Sequence, residues 1–309
     1  RGRQCRPRFQ ILNEVIFMNF LSYLISGISL GSVYALIALG YTMVYGIAKM
    51  LNFAHGDVIM IGGFVIFTAV SSAHTSPAVA IIAAIIVCTV LGVAIEKIAY
   101  KPLRNASPLA VLITAIGVSY FLQNVALLIF GSAARNFPDV LKVGDWHVAQ
   151  GLTITGETII TIAATLIIMI ALTTFINHTR IGAAMQAVSE DRGAAQLMGV
   201  NVNSTISITF AIGSALAAVA SLLLCSSYPL IGPYTGAMPG IKAFVAAVFG
   251  GIGSIPGAMI GGILLGVIEN LSKAYISTQL SDAIVFGVLI IVLLVKPTGI
   301  LGKAMREKV

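Results

Sequence analysis

Residues 58–95 read VIMIGGFVIFTAVSSAHTSPAVAIIAAIIVCTVLGVAI, 38 residues without one Asp, Glu, Lys or Arg, held between Asp57 and Glu96. A helix that spans a bilayer needs about 20 mostly apolar residues, so the stretch is long enough for a helix pair, placed at 57–73 and 77–95. A transmembrane β-barrel would alternate polar and apolar positions in segments of about 10 residues. The run Ile81-Ile82-Ala83-Ala84-Ile85-Ile86-Val87 does not alternate. Charge is equally absent from 15–48, 105–134, 158–179, 193–241, 243–268 and 283–295. These runs predict an all-α polytopic membrane protein with about eight transmembrane segments. Seven main spans fall at 20–46, 57–73, 77–95, 109–130, 157–176, 205–228 and 277–295. The eighth segment, 241–270, has too few residues for two full crossings, and its centre Gly250-Gly251-Ile252-Gly253-Ser254-Ile255-Pro256-Gly257 is a turn signal. It is expected to be a broken or re-entrant hairpin whose first arm enters part of the bilayer.

The composition agrees. The chain has 309 residues, with 18 Lys or Arg against 11 Asp or Glu, 9% charged in all and 58% hydrophobic, and its mean hydropathy is +1.00. Soluble domains carry about 25% charged residues, which excludes an ordinary cytosolic enzyme and a disordered chain. The net charge of +7 is scattered at segment ends and forms no stripe of the kind that binds nucleic acid. Cys5, Cys88 and Cys225 lie far apart with no CxxC pair, and read as small hydrophobes.

Orientation follows from Lys and Arg in short loops. Lys97, Lys101 and Arg104 form one cluster, and Lys296, Lys303, Arg306 and Lys308 another; both belong in the cytoplasm. The 131–156 segment balances Arg135 and Lys142 against Asp139 and Asp145 and belongs outside. Segment 177–203 then lies inside, and hairpin 241–270 begins and ends outside. The helix pair in the first half and the hairpin in the second, ending in Ile95-Glu96 and Ile268-Glu269, point in opposite directions. This suggests an inverted repeat, a common construction in transporters. Residues 1–17 are basic and precede Met18; they are set apart as an extension that could be non-native. Residues 18–303 form one transmembrane domain, with a cytoplasmic loop at 177–204 and a tail at 304–309.

Polar groups within these runs carry the functional expectations, because each costs several kcal/mol in lipid unless satisfied. The segment Leu51-Asn52-Phe53-Ala54-His55-Gly56-Asp57 separates two apolar helices. Asp57 suits an N-cap, and the segment is either a pathway lining or a plain cytoplasmic turn. Gln123 and Asn124 interrupt the helix 109–130, either to line a polar path or to bond a neighbouring helix. Glu269 and Lys273, one turn apart, read as an interfacial ion pair. In the 180–200 loop, a helix capped by Ser189 would carry Glu190 and Asp191 in its first turn, with Arg192 next to them among the candidate coupling residues. Ala194, Ala195, Leu197 and Met198 would give it a small apolar face, and Gly199 would stop it. Such a helix could dock on a soluble partner or lie on its own bundle. His55, His74, His147 and His178 lack metal spacing, and there is no GxxxxGK[ST] phosphate loop. No cofactor is expected, and the chain cannot bind and hydrolyse ATP through such a loop.

With these residues in view, the chain resembles the permease subunits of bacterial ABC importers for branched-chain amino acids, of the LivH type. The resemblance runs through 40–46 and 51–57, the 180–200 loop, and 249–258 with its approach from Lys242. Gln186 stands where the family usually has Arg, and Gly193 where an acidic residue is common. The resemblance implies a multi-pass protein of the cell inner membrane, working with a second related permease, two cytoplasmic ATP-binding subunits and a periplasmic amino-acid-binding protein. It favours Asn52, Ala54, His55, Gly56 and Asp57 as pathway lining; Gln123, Asn124, Gly250, Gly251 and Gly253 remain candidates for the same path from their own residue types and places in the chain. It makes 189–199 the coupling helix. A permease for urea or short amides, an ion-coupled secondary transporter and a membrane enzyme are the alternatives.

Overall fold

The structure, a computed structural model, describes residues 8–302 apart from 105, 142, 150 and 151. The tail at 304–309, most of the basic N-terminal extension, Cys5, Lys142 and the C-terminal Lys303, Arg306 and Lys308 lie outside the described residues. Eleven α-helices are present among the described residues. Seven helical stretches are long and apolar enough to cross a membrane: Ile16–Ala48, His55–Ser72, Pro77–Leu103, Pro108–Phe130, Gly156–His178, Val202–Ser227 and Ile255–Tyr275. Ala237–Gly250 and Ser281–Val295 are apolar but shorter.

In chain order these are α1 (Arg8–Ala48), α2 (His55–Phe67), α3 (Pro77–Ile95), α4 (Pro108–Phe130) and α5 (Gly156–His178), followed by two surface helices, α6 (Arg180–Glu190) and α7 (Arg192–Leu197). Then come α8 (Val202–Ser227), α9 (Ala237–Gly250), α10 (Ile255–Tyr275) and α11 (Ser281–Val295). The 241–270 stretch thus holds one full-length helix preceded by a 14-residue arm, about 21 Å long at 1.5 Å per residue. The final span is shorter than the 277–295 expected, because Ser281 begins the helix. Short strands β1 (Arg135–Asn136), β2 (Trp146–Ala149), β3 (Leu152–Ile154) and β4 (Leu230–Ile231) form two small antiparallel pairs, β1 with β4 and β2 with β3.

The helices pack as two sets of four. α1 lies along α10, and α8 along α3; α1 touches α9, and α8 touches α2. α2 meets α4 as α9 meets α11, while α1 crosses α8 and α2 meets α9. Each of these contacts made by α1–α4 has a counterpart in α8–α11, as an inverted repeat requires. The two sets run in opposite senses. α1 ends, and α8 begins, beside Arg192 and Arg104: the Arg192 guanidinium donates to the Ala48 carbonyl, and Arg104 donates to Asn203. The turn 250–254 reaches the same face, since Gly253 lies against Gly46 near the end of α1; there Gly250 accepts from Leu301 N (2.9 Å) and Phe249 from Ile300 N (2.9 Å). Lys49 follows the end of α1, Lys97, Lys101 and Arg104 follow the end of α3, Arg192 bonds Ala48 and Lys296 precedes the 300–301 segment that bonds the turn, which makes this the basic face.

Three local expectations are corrected. Ser189 caps nothing; its hydroxyl donates to the Gln186 carbonyl at 2.7 Å. Thr179 caps α6 and Asp191 caps α7, the Asp191 carboxylate accepting from Gly193 N (2.8 Å) and Ala194 N (3.0 Å). One helix from Ser189 is thus two helices broken at Asp191, whose extended backbone (φ −155°) cannot continue a helical turn. Asp57 is not an N-cap either: Ala54 holds that place without a side-chain bond, and Asp57 lies in the first turn of α2.

Candidate functional site

The start of α2 and the start of α9 meet inside the bundle. Their backbones touch because the meeting residues are glycines: a Cβ on Gly240 would lie 2.9 Å from the Gly56 Cα, and one on Gly56 would lie 2.5 Å from the Gly236 carbonyl oxygen. From this crossing α2 runs away from the basic face and α9 runs toward it. Two helix N-termini, each with N–H groups left over by the helix and a partial positive charge, thus converge at depth.

Around the crossing Asn52, Ala54, His55 and Asp57 are all buried. The Asn52 Oδ1 accepts from the Tyr100 hydroxyl at 3.0 Å. Tyr100 comes inward because α3 passes into a π-helical turn, Glu96–Tyr100, that buries both of its end residues. The His55 ring packs edge-on against Tyr41 with centroids 4.8 Å apart, and its Nε2 has no hydrogen-bond partner. Asp57 accepts from Gln123 Nε2 at 2.9 Å, and the same amide donates to Ser119 Oγ at 3.2 Å. Gln123 is thus an interhelical bond from α4 to α2. Asn124, one residue on, points the other way: it is exposed and donates to the Tyr120 carbonyl of its own helix at 2.7 Å. It does not belong with the buried cluster. Gly250, Gly251 and Gly253 are also apart from it; they form the turn on the basic face, where Gly251 lies under 301–302 and Gly253 near Gly46.

Phe244 of α9 closes the space below the crossing, with ring centroids 5.4 Å from Phe53 and 5.9 Å from Tyr41. The cavity left beside these rings is about 10 Å³, lined by Tyr45, Met50, Asn52 and Ala247 among others. That is space for about one water molecule and none for an amino-acid side chain, so the bundle is closed here.

A second polar cluster extends beyond the pair expected from the sequence. Lys242 of α9 is buried and bridges Glu269 Oε1 at 2.8 Å and Asp282 Oδ1 at 2.7 Å. Lys273 adds a 2.6 Å bond to the same Glu269 oxygen, and the Tyr34 hydroxyl donates to Glu269 Oε2 at 2.9 Å. The Glu269–Lys273 pair is therefore part of a network across α1, α9, α10 and α11, with Glu269 only 1% exposed, and is not a simple interfacial pair. Its counterpart in the other repeat is Glu96, also buried, which accepts from Arg104 and from Ser207 Oγ at 2.7 Å. A signal for the network exists in the sequence: Lys242 alone separates two long uncharged runs.

On the basic face α6 and α7 sit against the bundle through buried Met185, Val188 and Ala195. Glu190, Asp191, Ala194 and Gly199 face outward, and Leu197 and Met198 are 90% and 84% exposed at the tip. Arg192 does not share that outward face. Its guanidinium turns in to the Ala48 carbonyl, and burial, followed by the neighbouring Arg104, lowers its pKa from the ordinary arginine value.

Residues 23–293 match the family model described as branched-chain amino acid transport system / permease component. The chain belongs to this family. Among curated relatives, the high-affinity branched-chain amino acid transport system permease protein LivH of Salmonella typhimurium is 49% identical, over 95% of this chain and 99% of its own. LivH of Escherichia coli is 47% identical over the same shares. The permease protein BraD of Pseudomonas aeruginosa is 46% identical over 94% and 98%. No solved structure matches the chain. As a member of this permease family it is a multi-pass membrane transport subunit, and the crossing of α2 and α9 lies within the residues that the family model matches.

Proposed function

We propose that this permease is the membrane-spanning subunit of an ATP-driven importer of leucine, isoleucine and valine in the bacterial inner membrane. It works beside a second related permease, with two cytoplasmic ATPase subunits and a periplasmic binding protein. The observation that carries this reading is the similarity along nearly the whole chain to permeases named for high-affinity branched-chain amino acid transport. The fold supports it: the basic face belongs in the cytoplasm by the distribution of Lys and Arg, and it presents the exposed apolar tip Leu197–Met198 on a capped helix suited to a soluble partner.

In this reading the binding protein delivers the amino acid to the outer face. ATP binding and hydrolysis on the partner subunits move α6 and α7, and the two repeats shift so that the closed region around Asn52, His55, Asp57 and Phe244 opens. The polar groups there, Gln123 among them, would accompany the passing zwitterion. Specificity can rest largely on the binding protein, since a small apolar substrate asks little of the path.

The test is purification of the complex from its native membrane, followed by uptake of radiolabelled leucine into proteoliposomes with binding protein outside and ATP inside. Uptake that requires both, and is competed by isoleucine and valine, is expected. Competition by urea or acetamide instead would move the protein to the amide class. Uptake by the chain alone under an ion gradient would make it a secondary transporter, with Lys242, Glu269 and Asp282 as its coupling groups.

A further inference from the structure

We infer that Arg192 is the positioning residue that passes movement of the docking segment to the broken stretch between α1 and α2. This rests on the reading of α6–α7 as the partner-docking segment. Arg192 is the first residue of α7, directly after the Asp191 cap. Its neighbours Ala194, Leu197 and Met198 face outward, whereas its own side chain crosses to the last carbonyl of α1. That carbonyl sits at the negative end of a long helix, and a guanidinium there makes a charge-assisted bond reinforced by the helix dipole. Arg104, which faces the same site from the α3 side, opposes the placement by like-charge repulsion; Glu96 and Asn203 hold Arg104 back.

The segment after Ala48 makes the contact consequential. Lys49 has φ +53°, a conformation that side-chain-bearing residues rarely adopt. The chain then turns through 50–54 into the start of α2. The far end of this turn is fixed by the Tyr100–Asn52 bond and by the Gly56–Gly240 contact. The turn therefore has an anchor at each end, and Arg192 is the anchor that comes from the docking segment. A shift of α7 pulls on the end of α1 and on the turn that leads to His55 and Asp57. Without the guanidinium, α7 loses its direct bond to the end of α1, and the docking segment holds α1 chiefly through the packing of α6.

The test uses the complete importer in proteoliposomes and measures amino acid taken up per ATP hydrolysed. Arg192→Gln, which loses the charge, is expected to keep its ATPase subunits and its hydrolysis rate within about twofold while uptake per ATP falls about tenfold, the scale of one lost charged hydrogen bond. Arg192→Lys keeps a charge but not the planar fork, and should lose about threefold. A residue that merely stabilised the fold would lower complex yield and leave that ratio alone. An unchanged ratio, in whichever of the two variants assembles, overturns the inference. The docking reading is tested separately by Leu197→Asp with Met198→Asp, which should release the ATPase subunits. If those subunits stay bound, that reading fails, while the Arg192 ratio still reports on the link itself.

Discussion

Glu269 should be the most costly single position in the polar framework of this bundle. It is 1% exposed and accepts from Lys242, Lys273 and Tyr34 at 2.8, 2.6 and 2.9 Å. Glu269→Met leaves the Tyr34 hydroxyl without that acceptor and leaves Lys242, itself 6% exposed, with Asp282 alone. Removing one member of a buried pair costs about 3–5 kcal/mol, and because Lys242 keeps one carboxylate the lower end, about 3 kcal/mol, is expected. Lys242→Met is milder. Glu269 then retains Lys273 and Tyr34, and Asp282 can turn to solvent, so about 1–2 kcal/mol is expected. With both replaced, no charge is left buried and unpaired on α9 or α10, and the double variant should be more stable than the sum of the single losses by about 1–3 kcal/mol. Unfolding of all four forms in mixed detergent micelles closes this cycle. Additivity within about 0.5 kcal/mol, or a larger loss from Lys242→Met than from Glu269→Met, would refute the view of Glu269 as the hub.

The other predictions concern neighbouring residues with opposite surroundings. Gln123→Leu should cost about 1–3 kcal/mol because it removes a donor from buried Asp57, whereas Asn124→Leu should change stability by less than about 0.5 kcal/mol; the same unfolding assay compares them. Gly240→Val should lower the amount of folded protein recovered from membranes, since its Cβ meets the Gly56 backbone, while Gly117→Ala, with open space around it, should be neutral or stabilising by up to about 1 kcal/mol. Asp191→Ala should cost about 1 kcal/mol through loss of the α7 cap, seen as a lower unfolding midpoint. Glu190→Lys, on the exposed side, should leave that midpoint unchanged and reduce co-purification of ATPase subunits.

The uncharged runs make the membrane helices legible in the sequence, because lipid excludes ionised side chains wherever a helix crosses it. The same rule makes the short arm before Gly250 legible, since the residue count forbids two crossings. Helix starts are less so. Asp57 and Ser189 are both good caps by residue type, yet a carboxylate within reach of Gln123 has a better use in the bundle, and Asp191 reaches two amides where Ser189 reaches none. Gln123 and Asn124 are adjacent and chemically alike; only the rotation of α4 against α2 separates a buried bond from an exposed amide, and nothing in one sequence sets that rotation. Lys242 stands out because it divides two long uncharged runs, but its pairing is hard to read, since its carboxylate partners lie 27 and 40 residues further along the chain. Arg192 shares its short helix with outward-facing neighbours, and composition cannot show that one side chain among them reaches back to its own bundle.

The two buried glutamates also say which part of the molecule is freer to move. Glu96 and Glu269 occupy matching places in the repeats, but their surroundings differ. Glu269 ties four helices together through two lysines and a tyrosine. Glu96 joins α3 to α8 through a serine and an arginine that is itself shared with Asn203. Force applied at the basic face therefore meets the lighter of the two fastenings first. The cluster around Glu269 would travel as a unit, and relative motion would concentrate where α2 and α9 touch through glycine backbones, a contact at depth in which Gly56, Gly236 and Gly240 have no side chains to interlock.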